Sequence, residues 1–124
     1  MALILIVDDT PTTRDLFHAI CEYAGHQVLE ATSGEEALQL ARTHRPHLII
    51  VDIYMRPMTG LELLDTLKHD TQVADIPVIV TSMTLARGHN ASEALRLGAI
   101  QFLPGPIEVQ QFITAIEESL CPQL

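Results

Sequence analysis

Asp8 and Asp9 stand side by side directly after the aliphatic run Leu3–Val7, and Asp52 directly follows a second such run, Leu48–Val51. Carboxylates brought together repel, and each raises the other's pKa unless a cation offsets the charge. Oxygen donors of this kind suit a hard divalent ion, and a site with few protein ligands and open positions suits Mg²⁺. A carboxylate left free beside such an ion can attack phosphorus as an aspartyl nucleophile. Phosphoryl transfer asks little more of a protein than positioning and charge stabilisation. A single acidic strand end reads more simply as a solvated loop tip. A pair after one strand, a third Asp after another and the hydroxyls of Thr81, Ser82 and Thr84 after a further run form a constellation that favours chemistry.

For these residues to meet, the chain must fold so that the runs lie side by side. Five short apolar runs, Leu3–Val7, Gln27–Ala31, Leu48–Val51, Val78–Val80 and Ile100–Leu103, alternate with five segments of helical period. In the first of these segments Phe17, Ile20, Cys21 and Ala24 make an i, i+3, i+4, i+7 stripe, and Val109, Phe112, Ile113, Ile116 and Leu120 do so in the last. Leu61, Leu64 and Leu67 mark the third helix, and Ala91, Ala94 and Leu95 the fourth. Thr10-Pro11 predicts a cap and a first-turn proline, Gly25 a stop, and Ser33 with Glu36 a capping box; Gly60 opens the third helix and Gly98 ends the fourth. Strict alternation predicts an α/β fold, a doubly wound (βα)5 domain with a five-stranded parallel sheet covered on both faces. In the strand order 2-1-3-4-5 the crevice falls between the first and third strands, beyond their carboxyl ends, where the three Asp residues converge.

The 124 residues fit one domain over 1–124. No apolar run reaches the roughly 18 residues of a membrane span, and Leu3–Val7 is a strand and not a signal peptide, so the expected location is cytoplasmic. A net charge of −9 with seven dispersed Lys and Arg residues argues against a direct nucleic-acid surface. Cys21 reads as a small core residue and Cys121 as a tail thiol. Six histidines lie on different elements without ligand spacing, which favours surface and helix-end positions.

Several stretches together resemble the receiver domain of two-component response regulators, of the single-domain chemotaxis type, over essentially the whole length. They are Leu5-Ile6-Val7-Asp8-Asp9, Val51-Asp52 with Met55, Met58 and Gly60, Ile76-Pro77-Val78-Ile79, and Gly98-Ala99 followed by Phe102-Leu103. The resemblance implies a flavodoxin-like fold with Asp52 as phosphoacceptor, Asp9 as direct Mg²⁺ ligand and Asp8 as the second acidic residue. It further implies that Tyr54 lends a backbone carbonyl to the metal, that Ser82 is the switch hydroxyl, and that Phe102 is the switch aromatic. Taken alone, Ser82 reads as one of several hydroxyls fit to cap a helix, and Phe102 as core.

The chain departs from that family at a telling place. Where the family has a lysine before a proline, this sequence has Gly105, in Leu103-Pro104-Gly105-Pro106. Lys68, the single lysine, belongs to the third helix. Arg56 stands where proline is usual, with Pro57 next, and Thr59 where Asp or Asn is common. Arg56, with Arg87 behind it, is the candidate to supply the missing cation, although arginine is not a simple substitute for lysine. Met83 occupies a small-residue position and predicts slow loss of a phosphoryl group; the Gly105–Pro106 bond is a candidate for cis.

The expected function is a stand-alone receiver that takes a phosphoryl group on Asp52 from a sensor histidine kinase or phosphotransfer protein. It then signals to a downstream protein through the face of the fourth helix, fifth strand and fifth helix. The alternative is a pseudo-receiver that binds partners without phosphorylation, which Gly105 favours. A dehalogenase-like phosphatase is disfavoured because Asp8 and Asp9 are adjacent and no Gly-rich phosphate loop is present. The domain is therefore expected not to be an enzyme beyond its own phosphorylation and dephosphorylation.

Overall fold

The computed structural model describes residues 1–82 and 88–120, with side chains from Asn90 onward in the second stretch. Met83, Thr84, Arg87 and Cys121 lie outside the described residues.

The elements run β1 (Leu3–Val7), α1 (Pro11–Tyr23), β2 (Gln27–Ala31), α2 (Gly34–His44), β3 (Leu48–Asp52), α3 (Gly60–His69), β4 (Val78–Ser82), α4 (Gly88–Arg96), β5 (Gln101–Pro104) and α5 (Val109–Leu120). The strands form one parallel sheet, as the alternation predicts, in the expected order β2-β1-β3-β4-β5. Three strands extend past the aliphatic residues that mark them: β3 includes Asp52, β4 runs to Ser82, and β5 is shifted to end at Pro104. Backbone pairing does not stop where side chains turn polar, and Asp52 pairs with Thr81 and Ser82 with Pro104 in the ladder.

Side-chain alternation divides the core in two. Leu5, Val7, Ile49, Val51, Val78 and Val80 meet α2 and α3 on one face, together with Ala94 of α4. Ile4, Ile6, Leu48, Ile50 and Ile79 meet α1 and α5 on the other, where Phe17 and Phe112 stack with centroids 4.5 Å apart. Each fully buried aliphatic or aromatic side chain contributes about 1.5–3 kcal/mol, so these two layers hold the strand ends in fixed register.

The helix starts differ in how they are tied. Thr10 is the N-cap of α1 and Pro11 its first residue, but the Thr10 side chain makes no capping bond. Ser33 caps α2 by accepting from Glu36 N–H, whereas the Glu36 carboxylate turns to Thr32 and leaves the predicted box half formed. The complete capping box is at α3, where Thr59 and Glu62 bond reciprocally. Gly25 and Gly98 take positive φ values of 93 and 113 at the ends of α1 and α4, which a side chain would strain. Not every residue of the predicted stripes is covered. Leu95 and Val109 are 51% and 50% exposed, because α4 is buried through Ala94 and α5 through Phe112, Ala115 and Ile116.

Candidate functional site

Because β1 and β3 are neighbours, with Val7 opposite Val51, the residues that end them emerge side by side. At their carboxyl ends the chain leaves β1 for α1 on one face of the sheet and β3 for α3 on the other, which opens a crevice. Asp8, Asp9 and Asp52 each place a carboxylate oxygen there, all within 4.8 Å of one another. Asp8 is 1% exposed, Asp52 is half-buried and Asp9 is open to solvent.

Local bonds fix the two strand ends. The Asp8 carboxylate accepts the Thr10 N–H at 2.8 Å, and the Asp8 N–H donates to Ala31 O at 3.1 Å. Arg14, in the first turn of α1, donates from Nη1 to Asp8 O at 2.8 Å and from Nε to Glu30 Oε1 at 2.9 Å. The other Glu30 oxygen bonds to His18 Nδ1, and His18 Nε2 lies 3.2 Å from Glu22. A chain of alternating charges thus ties β2 and α1 to the backbone of Asp8. On the β3 side, the Tyr54 N–H donates to Asp52 Oδ1 at 3.3 Å, and Gly60 N–H to Ile53 O at 3.1 Å.

The electrostatics follow from burial and crowding. Desolvation pushes the Asp8 carboxyl up to about 6, against the Thr10 N–H; the charges of Asp52 and Asp9 add to the rise, and Arg14 opposes it. Asp52 is also raised, first by desolvation and then by Asp9, while the N–H groups of Tyr54 and Ile53 pull it back. Such a trio is short of positive charge. Its donor set is all carboxylate oxygen, partly buried and partly open, which fits a hard divalent cation with few protein ligands.

Ser82 and Phe102 fall on one side of the sheet. Ser82 is fully buried at the end of β4, and Phe102 pairs with Val80 two residues before it, so alternation turns both toward the α3 face. Phe102 is partly buried against that cluster. Tyr54 is 49% exposed on the loop after β3. Arg56 is exposed, precedes a cis bond to Pro57, and pairs with no carboxylate among the described residues. The Gly105–Pro106 bond is cis as well.

Lys68 is committed elsewhere. Its Nζ donates to Ala74 O at 3.1 Å and Ile76 O at 2.8 Å, just before the start of β4 and so at the opposite end of the sheet from the acidic crevice. The cation whose charge reaches Asp8 is Arg14, which the sequence reading did not single out. Its tie to Glu30 joins residues 16 apart on different elements, a pairing that no local spacing signals.

Comparison with known proteins agrees with the fold. The response regulator receiver domain family matches residues 4–117. The chain is 36% identical to the polar-differentiation response regulators DivK of Brucella anthropi and Brucella ovis, over 94% of this chain and 94% of theirs. Among solved structures it is similar to the chemotaxis protein CheY4 of Vibrio cholerae, at 28% identity and a TM-score of 0.89 over 97% of this chain and 99% of that one. The receiver domain of NtrX from Brucella abortus matches at 32% identity and a TM-score of 0.87, over 94% and 97%. The chain belongs to the response regulator receiver domain family of two-component signalling.

Proposed function

We propose that this receiver takes a phosphoryl group on Asp52 from a phosphohistidine of a sensor kinase or phosphotransfer protein. The observation that carries the reading is the meeting of Asp8, Asp9 and Asp52 within 4.8 Å at the switch point of the sheet. A carboxylate oxygen of Asp52 attacks phosphorus, the O–P bond forms as the P–N bond breaks, and the electron pair stays on the ring nitrogen, which is then protonated. Asp8 and Asp9, with Asp52 and the Tyr54 carbonyl, would hold Mg²⁺. Bound there, the ion supplies positive charge to the carboxylates and to the phosphoryl oxygens.

Ser82 is the hydroxyl that meets the phosphoryl group, and Phe102, on the same side of the sheet, is the aromatic that follows it. The downstream protein docks on α4, β5 and α5, where Leu95, Val109 and, just before β5, Ile100 are 51%, 50% and 43% exposed. No described helix is long and apolar enough to cross a membrane, and the reading is of a cytoplasmic signalling module with no enzymatic turnover beyond its own phosphorylation and dephosphorylation. Arg56 remains the candidate to approach the phosphoryl group in place of the family lysine.

Gly105 supports the second reading, a module that binds partners without phosphorylation. The intact trio weighs against it, since a purely structural role gives no reason to crowd three carboxylates. Radiolabel transfer from a purified phosphorylated histidine phosphotransfer domain separates the two. Label should leave the donor and appear on this chain, and Asp52→Asn should abolish it. Labelling that survives Asp52→Asn would place the acceptor elsewhere.

A further inference from the structure

Tyr54 touches the site at one end and a helix at the other. Its backbone N–H donates to Asp52 Oδ1 at 3.3 Å, and its hydroxyl accepts from Asn90 Nδ2, in the first turn of α4, at 2.9 Å. The residue is 49% exposed, and the Asn90 contact ties the tip of its ring to α4. A tyrosine has only two side-chain torsions, so a tip held in place limits where its backbone can go. That backbone belongs to the residue two places after Asp52, whose N–H is the one bonded to the Asp52 carboxylate.

We infer that Asn90 is a positioning residue for phosphoryl exchange at Asp52, acting through Tyr54. This rests on the reading of Asp52 as the acceptor. When Asp52 becomes an acyl phosphate, negative charge moves from the carboxylate to the phosphoryl oxygens, and the Tyr54 N–H loses the charged acceptor it had. The displacement is delivered to Asn90 by the ring. This route to α4 runs along the β3–α3 loop and is separate from Ser82 and Phe102, which lie on β4 and β5. Coupling free energies are reciprocal, so a partner that captures Asn90 on α4 must alter the affinity of the site for its phosphoryl mimic by the same factor.

The test is a double-mutant cycle on Tyr54→Phe and Asn90→Ala, with two readouts. The first is the rate of phosphoryl uptake from phosphoramidate with Mg²⁺, followed by intact mass. The second is the shift of the Ala91 and Ser92 backbone amides in NMR spectra when beryllofluoride and Mg²⁺ are added. Each single variant should change the rate in the same direction by about two- to tenfold, the range for one neutral hydrogen bond. The double variant should go no further, because the residues act as one unit. In all three variants the amide shifts on α4 should shrink by about half or more while those near Ser82 persist, as expected when one hydrogen-bonded link is cut. Independent, multiplying effects on rate, or α4 shifts equal to those of the unaltered chain, would overturn the inference alone. Absence of any uptake by the unaltered chain would overturn the acceptor reading and this inference with it.

Discussion

A Cβ placed on Gly60 would lie 2.2 Å from the carbonyl oxygen of Asp52. The start of α3 thus rests directly on the backbone of the candidate phosphoacceptor, and glycine is the residue that permits it. The Ile53 Cα, at 2.7 Å from the same point, closes the other way out.

Gly60→Ala should therefore move either α3 or the end of β3, because the obstructing atoms are backbone and cannot swing aside. Overpacking of this kind costs about 1–3 kcal/mol. Urea denaturation should show that loss, and Asp52 should become a poorer acceptor even in the fraction that remains folded. Unchanged stability and unchanged phosphoryl uptake would contradict the close approach.

Asp8 sets a pH dependence whose sign is unusual for a carboxylate. Its pKa is about 6 in the fold against 3.8 in the unfolded chain, so between these values the folded state holds more proton. Stability contributed by this group is accordingly present below 3.8 and lost as pH rises through about 6. At 1.36 kcal/mol per unit the loss is at most about 3 kcal/mol. Denaturation of the chelator-treated protein should show a falling limb across this window that Asp8→Asn removes, and saturating Mg²⁺ should reduce it. A limb that survives Asp8→Asn would assign it to another group.

Gly105 stands two residues after Leu103, whose side chain lies on the same face of the sheet as Ile50. Gly105 is not among the glycines with positive φ, so its backbone conformation does not demand glycine. Gly105→Lys should return an ammonium group to a crevice rich in negative charge, raising phosphoryl uptake from a small donor by about tenfold or more. The same rate with and without the lysine would show that the missing charge does not limit this chain.

The sequence made the fold legible because β1, β3 and β4 are aliphatic runs punctuated by helix signals, and their alternation admits few topologies. Asp8, Asp9 and Asp52 were legible for the same reason, each standing at the end of such a run. What escaped was set by contacts between elements. Arg14 and Glu30 meet only once α1 lies beside β2, and Tyr54 and Asn90 only once α4 reaches the β3–α3 loop. The Thr59–Glu62 box was available from spacing alone, whereas the Thr10 cap was over-read: the Thr10 N–H is satisfied by Asp8 and its hydroxyl makes no capping bond. Leu95 and Val109 followed the helical period yet stay exposed, since periodicity gives a stripe's direction and not how wide its neighbour is.

The central claim is that Asp52 accepts a phosphoryl group at a metal-assisted acidic site despite Gly105. Intact-mass measurement after incubation with phosphoramidate, with Mg²⁺ and with chelator, tests it most directly. One phosphoryl group should add with Mg²⁺, little or none with chelator, and none in Asp52→Ala. No mass gain in the unaltered chain with Mg²⁺ present, under conditions that phosphorylate a receiver with the family lysine, would contradict it.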